Sequence, residues 1–145
     1  MIHWLQLSPT DQIFTHFDPE TGKQIDIAVS AITRWCEKTH QEIFRTPIQE
    51  SHIATIAEQD GRIEPHRLLR LKGAALRAPI LFLDWYDGHT KLLADGNHRY
   101  VRHYQLRRPE ILTYVVAVRD WEPFIVQGLP KTTEAQMLKS FSGVF

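Results

Sequence analysis

The sequence predicts an α/β (α+β) fold: a small mixed sheet with a hairpin and a strand–helix–strand unit, preceded by a mainly helical N-terminal part. Three observations predict it. PILFLDW and TKLLAD are runs of β formers separated by a segment that carries the turn pair Asp87-Gly88. NHRYVRHYQLR reads as a basic helix, and after Pro109 it gives way to ILTYVVAV, an apolar run of strand length. In the first half, Ile32, Trp35, Cys36 and Ile43 recur at helical rather than alternating spacing.

A chain of 145 residues fits one domain, and it contains no repeat, low-complexity tract or linker. Within it, residues 1–62 read as the helical part, 63–127 as the α/β core and 128–145 as a tail with a short helix. FDPETGKQ, with Pro19 and Gly22, predicts a hairpin or loop. A helix is expected over about residues 27–44. Thr46-Pro47-Ile48-Gln49 reads as a second helix start: Thr46 caps, Pro47 suits the first turn and Gln49 completes a capping box. Ile48, Ile53, Ile56 and Ala57 form its apolar stripe, and Gly61 stops it. A third helix starts at Glu64-Pro65, turns Leu68, Leu69 and Leu71 inward, and ends at Gly73.

Strands at 80–85 and 90–94 are expected to form a hairpin closed by the two-residue turn Asp87-Gly88. A helix over 97–107 and a strand over 111–118 follow, and the last two strands would make a right-handed parallel crossover. Thr133-Glu134-Ala135-Gln136 repeats the capping-box pattern and predicts a final helix to about Phe141.

Composition narrows the function classes. No apolar run is long enough to span a membrane, and the N-terminal stretch lacks the pattern of a secretory signal. Cys36 is the single cysteine, which fits a reducing cytoplasm. Zero formal net charge counts against a DNA-coating protein, yet Arg99, Arg102, Arg107 and Arg108 cluster locally. His98 and His103 are five apart and do not share a helix face, so the histidines do not predict structural zinc. Neither a Walker A loop, a G-x-G-x-x-G nor a G-x-S-x-G occurs.

The chemistry concentrates in LLADGNHRYVRHYQLRRP, where a strand runs into a helix. Gly96 permits a tight turn or close approach of a ligand to the backbone. The first N–H groups of the helix have no internal partner, and the dipole places partial positive charge there. An anion would gain about 0.3–1 kcal/mol from the dipole, and roughly 1.5–3 kcal/mol from each charge-assisted bond to Arg99 or a protonated His98. Asp95 would repel a phosphate unless it holds Arg99, caps the helix or binds Mg²⁺ bridging to phosphate, and the cap or metal role is the one expected. The alternative is an ordinary Asp-Gly turn followed by a solvated basic helix face. Trp85, Tyr86, Tyr100 and Tyr104 flank the turn and offer a surface for base stacking, although Tyr100 and Tyr104 are spaced as core residues would be.

LLADGNHRYVRHYQLRRPEILTYVV resembles the signature of the ParB/sulfiredoxin-like superfamily, a strand leading into a D-G-x-H-R or G-G-C-H-R turn, then a helix and a strand. APILFLDWYDGHTKLL resembles the family's Pro-Ile strand and hairpin, so the likeness covers about residues 64–118. The resemblance implies that Gly96, Asn97, His98 and Arg99 lie against the phosphates of a nucleoside di- or triphosphate with Mg²⁺. It also implies that Asp95 is the motif acid and that Glu64 stands near the place of the general base in the family's free serine kinases. Glu64 also reads simply as a helix-start residue beside Pro65. Asn97 replaces the catalytic cysteine of sulfiredoxins, which speaks against sulfinic acid reductase activity. The arginine-rich box of partitioning ParB proteins is replaced by DGNHR, and about 27 residues follow Val118, too few for their helix-turn-helix region.

The expected function is therefore nucleotide or phosphate binding at DGNHR, with phosphoryl transfer or nucleotide hydrolysis as the reaction class and Glu64, Asp95 and His98 as its catalytic groups. The alternatives are a nucleic-acid-binding protein or nuclease that uses the Arg99–Arg108 stripe, and a non-catalytic interaction protein of a mobile element.

Overall fold

A computed structural model describes residues 8–58 and 63–128. The helix stop at Gly61 and the capping box at Thr133 lie outside the described residues. The chain is mixed α/β, with a three-stranded sheet and a four-stranded sheet.

The first sheet comes from the N-terminal part. β1 (Ile13–Phe17) and β2 (Gln24–Ala28) are an antiparallel hairpin around the expected FDPETGKQ turn, and β7 (Ile125–Gln127) joins the other side of β2. Asp18 organises the turn, its carboxylate accepting from Glu20 N–H at 3.1 Å and from the Thr21 hydroxyl at 3.0 Å. The N-terminal part is thus not mainly helical. IFTHF and QIDIA are short strands in which exposed Ile13 and Phe17 and buried Asp26 break the apolar-in, polar-out alternation, so they do not stand out in sequence.

α1 (Val29–Lys38) buries Val29, Ala31, Ile32 and Cys36 along one face, with Trp35 half-buried beside them. It stops earlier than its apolar spacing suggests. His40 takes the left-handed conformation (φ 54°), so that Gln41 N–H reaches Cys36 O at 2.9 Å and His40 N–H reaches Glu37 O at 3.3 Å. This is the Schellman closure, made without glycine. Ile43, expected on the helix, is exposed beyond it. Burial pushes the Cys36 thiol up to about 12, so it is a packed apolar group rather than a nucleophile.

Thr46 and Pro47 do not start a helix. They belong to β3 (Phe44–Pro47), which pairs antiparallel with β6 (Glu110–Val116) at the sheet edge, where a proline costs no ladder bond. α2 (Glu50–Ala57) begins after them, with Gln49 at its N-cap. Ile56 is buried and Ile48 and Ile53 pack partly, as the stripe predicts, but Ala57 is exposed. α3 (Pro65–Arg70) starts where Glu64-Pro65 places it and buries Leu68, whereas Leu69 points to solvent. Gly73 begins a further short helix, α4 (Gly73–Arg77), instead of closing α3.

β4 (Ile80–Asp84) and β5 (Lys91–Asp95) form the expected hairpin, but Trp85 still pairs with Thr90, so its loop is longer than two residues. The Asp87 carboxylate accepts from the N–H groups of His89 and Thr90 and from the Thr90 hydroxyl, which holds it down at about 2. Asp87-Gly88 is therefore the tip of a side-chain-stabilised loop.

α5 (Asn97–Gln105) connects β5 to β6, but β6 lies beside β4 and runs parallel to it. The order is β3-β6-β4-β5, so β5 and β6 are neither neighbours nor parallel to each other. The parallel pair is β4–β6, with β4 central and buried on both faces. Leu81 and Leu83 face a core shared with α1, Trp121 and Phe124; Ile80 and Phe82 face one shared with Ile56, Tyr100 and Ile111. This two-residue alternation with both faces covered is why ILFL reads as a continuous apolar run. The chain then turns through α6 (Val118–Trp121) and a 3₁₀ turn (Glu122–Phe124) into β7. No described helix is long and apolar enough to cross a membrane.

Candidate functional site

The site is built where β5 ends. The β4–β5 register slips there: Leu81 faces Asp95 while Phe82 faces Leu93, so Ala94 is an extra residue. Such a bulge re-aims the residues that follow it. Gly96 then turns the chain with φ 109° and ψ 22°, and α5 begins at Asn97. A Cβ on Gly96 would stand 2.4 Å from Ile80 Cγ2 and 2.8 Å from Ile80 Cβ. Gly96 is thus required by packing against β4 as well as by its backbone angle.

The first closing bond of α5 is Tyr100 N–H to Gly96 O at 2.8 Å, and no side chain caps the helix. Asp95, expected as cap or metal ligand, does not cap the helix. Its Oδ2 accepts from Arg99 Nη2 at 3.1 Å. Arg99 Nη1 donates to Pro79 O at 2.9 Å and to Ala78 O at 3.2 Å. The guanidinium, expected against phosphate, therefore ties the turn to the segment entering β4. The carbonyls of residues 78 and 79 precede the ladder and need a donor, which Arg99 supplies.

His98 was expected to be protonated. Instead its Nε2 accepts the Glu64 N–H at 3.0 Å, which requires an unprotonated nitrogen. Burial, and then the Arg67 charge, lower its pKa. The same bond fixes the N-terminus of α3 against the turn. The Glu64 side chain is exposed and lies 3.4 Å from His66 Nε2, outside the lining of the cleft described next.

Residues 94–99 form one wall of a polar cleft of about 450 Å³, completed by Thr10, Gln12, Ser30 and Arg67. Ser30 Oγ accepts Gln12 N–H at 2.8 Å, which joins the start of α1 to the segment before β1. Asp11 beside it is held by Arg34 at 2.9 and 3.0 Å. Arg67 is exposed and makes no ion pair with a described residue. The structure thus brings together Asp95, Gly96, Asn97, His98 and Arg99, with Glu64 joined through its backbone. Sequence reasoning missed Thr10, Gln12, Ser30 and Arg67. Arg67 had a signal, a cation in the first turn of a helix that starts at Glu64-Pro65; the other three reach the cleft only through long-range packing.

No group of three metal-binding side chains occurs among the described residues. Of the expected stacking aromatics, Tyr100 is fully buried, Trp85 packs against Tyr86 and Trp121, and Tyr104 is exposed rather than core.

His103 is buried behind the site. Its Nε2 is 2.9 Å from Leu76 O, to which it donates, and Arg108 Nη1 lies 3.4 Å from Nδ1. Burial lowers its pKa, with the Arg108 and Arg99 charges acting in the same direction. Two histidines with depressed values give a signed prediction. The unfolded chain binds more protons than the folded one once pH falls below about 6.5. These two groups leave stability constant from about pH 6.5 to 8, below the range where the raised Cys36 thiol begins to count, and lower it as pH drops through the folded-state values. Denaturant midpoints at a series of pH values test this, and His103→Gln should flatten the acid limb.

Comparison with known proteins gives no match: no family model, curated protein or solved structure matches the chain. What fold and site define is an α+β protein with a polar cleft at a strand-to-helix turn.

Proposed function

We propose that this cleft binds the phosphate of a nucleotide or phosphorylated small molecule, as the resemblance to the ParB/sulfiredoxin-like superfamily implies. One observation carries the reading. Arg67 and the residues that open α5, Asn97, His98 and Arg99, line a single cleft whose one lining carboxylate, Asp95, is neutralised by Arg99. A phosphate there gains backbone donors, the helix dipole and one uncommitted cation.

Calorimetric titration with ATP, ADP and CTP, each with Mg²⁺, tests the proposal. At least one should bind, and Arg67→Ala should weaken it about 10–100-fold, the equivalent of one charge-assisted bond. Absence of binding by all three at millimolar concentration contradicts the reading. Phosphoryl transfer or nucleotide hydrolysis is the reaction class we propose. The base proposed for it is Glu64, whose backbone N–H binds His98 and whose exposed carboxylate stands beside His66, outside the cleft lining; Asp95 is engaged with Arg99. The described side chains do not by themselves make a Mg²⁺ site, so Mg²⁺ enters this reading as an ion carried by the phosphates and water. A cytoplasmic setting belongs to the same proposal and rests on the single cysteine.

A second reading, nucleic-acid binding, is favoured by a different observation. The Arg99–Arg108 stripe is broken, because Arg99 turns inward, but Arg108 joins Arg45 and Arg77 around a cavity of about 220 Å³ at the other end of α5. That surface would hold a phosphate backbone with an affinity that falls steeply with salt.

A further inference from the structure

Each of the two sheets leaves two outer strands, and three of these four edges are protected against further pairing. β3 contains Pro47 and the exposed Arg45. β5 carries Lys91 and the bulge at Ala94, and β7 is only three residues long. A proline, a charged side chain, a bulge or shortness keeps an edge from recruiting another strand. β1 has none of these. IFTHF runs for five residues in unbroken register with β2, and exposed Ile13 and Phe17 stand at its two ends.

The hydrogen-bond pattern shows which backbone groups that edge offers. Asp18 N–H bonds Lys23 O at 2.9 Å and continues the β1–β2 register. Bonded and non-bonded pairs alternate along an antiparallel ladder, so Phe14 and His16 pair with β2 while Thr15 and Phe17 direct N–H and C=O away from it. On β5, Trp85 N–H bonds Thr90 O at 2.8 Å, and the same alternation turns the backbone of Lys91 and Leu93 away from β4. These four residues line a groove of about 460 Å³ between β1, β5 and α2. Phe14, Ile56, Phe82 and Leu93 give the groove an apolar wall. His16, His52 and Lys91 add polar and basic groups, and no carboxylate lines it. Lys91 also meets Asp84 across the hairpin at 2.5 Å.

We propose that β1 takes an extended peptide segment of a partner protein as an added strand, laid in this groove with apolar and acidic side chains alternating. An extended chain matches the mixed lining, because its successive side chains point to opposite sides. One set meets the apolar wall, and the other brings carboxylates to a groove that holds Lys91 and two histidines but no acid. The main-chain ladder to Thr15 and Phe17 supplies affinity, and the side-chain contacts select the sequence. A second copy paired through its own β1 would bring its α2 and β5 against these walls, which favours a lone segment over a dimer. The inference is independent of the phosphate reading, since neither β1 nor Thr55 of α2 lines the cleft at the turn.

The test is fluorescence anisotropy with a labelled, capped octapeptide of alternating valine and glutamate. It should bind at least about tenfold tighter than the same peptide N-methylated throughout, which cannot donate to a ladder, and tighter than its valine–lysine counterpart. Bound peptide should also protect the Thr15 and Phe17 amides from hydrogen exchange. Phe17→Pro removes an outward donor and no β1–β2 bond, and Thr55→Trp fills the groove from the exposed face of α2. Each should weaken binding about tenfold or more, and Thr55→Trp decides the matter if the β1 variant fails to fold. Absence of binding at millimolar peptide, equal binding of the N-methylated or the lysine peptide, or binding that survives Thr55→Trp overturns the proposal. Self-association of the free protein that Thr55→Trp abolishes assigns the edge to a second copy and overturns it too.

Discussion

Gly96→Ala is expected to destabilise the fold by about 2–5 kcal/mol, the sum of a left-handed-backbone penalty and an overpacking penalty. The two penalties have separate sources. At φ 109° a side chain is strained whatever surrounds it. The added Cβ also meets Ile80 at 2.4 and 2.8 Å, and Ile80 is fully buried on the central strand, where it has nowhere to move. The double variant Gly96→Ala/Ile80→Ala removes the 2.4 Å contact with Cγ2 but keeps the 2.8 Å contact with Cβ, and this partial relief should make the combined loss smaller than the sum of the single losses. Urea denaturation reads the effect directly. Were Gly96 present only for ligand approach, alanine there would leave the midpoint of the free protein unchanged.

Arg99→Ala is the second large effect, with an expected loss of about 2–4 kcal/mol in the absence of any ligand. The Arg99–Asp95 pair is mostly shielded, at 16% and 25% side-chain exposure, so solvent screens it less than a surface pair. Removing the guanidinium also strips the donor from the carbonyls of Ala78 and Pro79. Arg99→Lys should recover only part of the loss, since an ammonium lacks the planar fork that spans an acid and two carbonyls. Asp95→Asn should cost less than Arg99→Ala, because the carbonyl bonds remain. If Arg99 were mainly a phosphate ligand, as the resemblance implies, Arg99→Ala would abolish binding and leave the melting temperature of the free protein in place.

These expectations mark what was legible in the sequence. The DGNHR turn, the helix after it and the hairpin before it follow from local chemistry: an Asp-Gly pair between β formers, and a glycine where the strand must bend into a helix. The buried strand Glu110–Val116 was legible because both its faces are covered. The parallel partner of that strand was not, since pairing with β4 instead of β5 is a long-range choice that leaves no mark on either segment. Both long helices end sooner than their periodicity suggests, because His40 and Arg107 (φ 58°) take a conformation normally given to glycine. Thr46-Pro47 carries a genuine helix-start signal that edge pairing with Ile111 and Glu110 overrides.

The site residues divide in the same way. That His98 and Arg99 belong to the turn was readable, and so was an Asp95–Arg99 pair four residues apart; that both also bond backbone was not, because those atoms are 34 and 20 residues away in sequence. Under the proposed phosphate reading, Arg67 supplies the cation that the sequence assigns to Arg99.

The central claim is that a phosphate sits on the opening N–H groups of α5 beside Arg67. Two-dimensional amide NMR of the labelled protein during titration with ADP tests it most directly. The largest shifts should fall on the amides of Asn97, His98 and Arg99, saturate together, and weaken in Arg67→Ala. Shifts confined to the surroundings of Arg45, Arg77 and Arg108, or no shift at residues 97–99 at millimolar ADP, would contradict it.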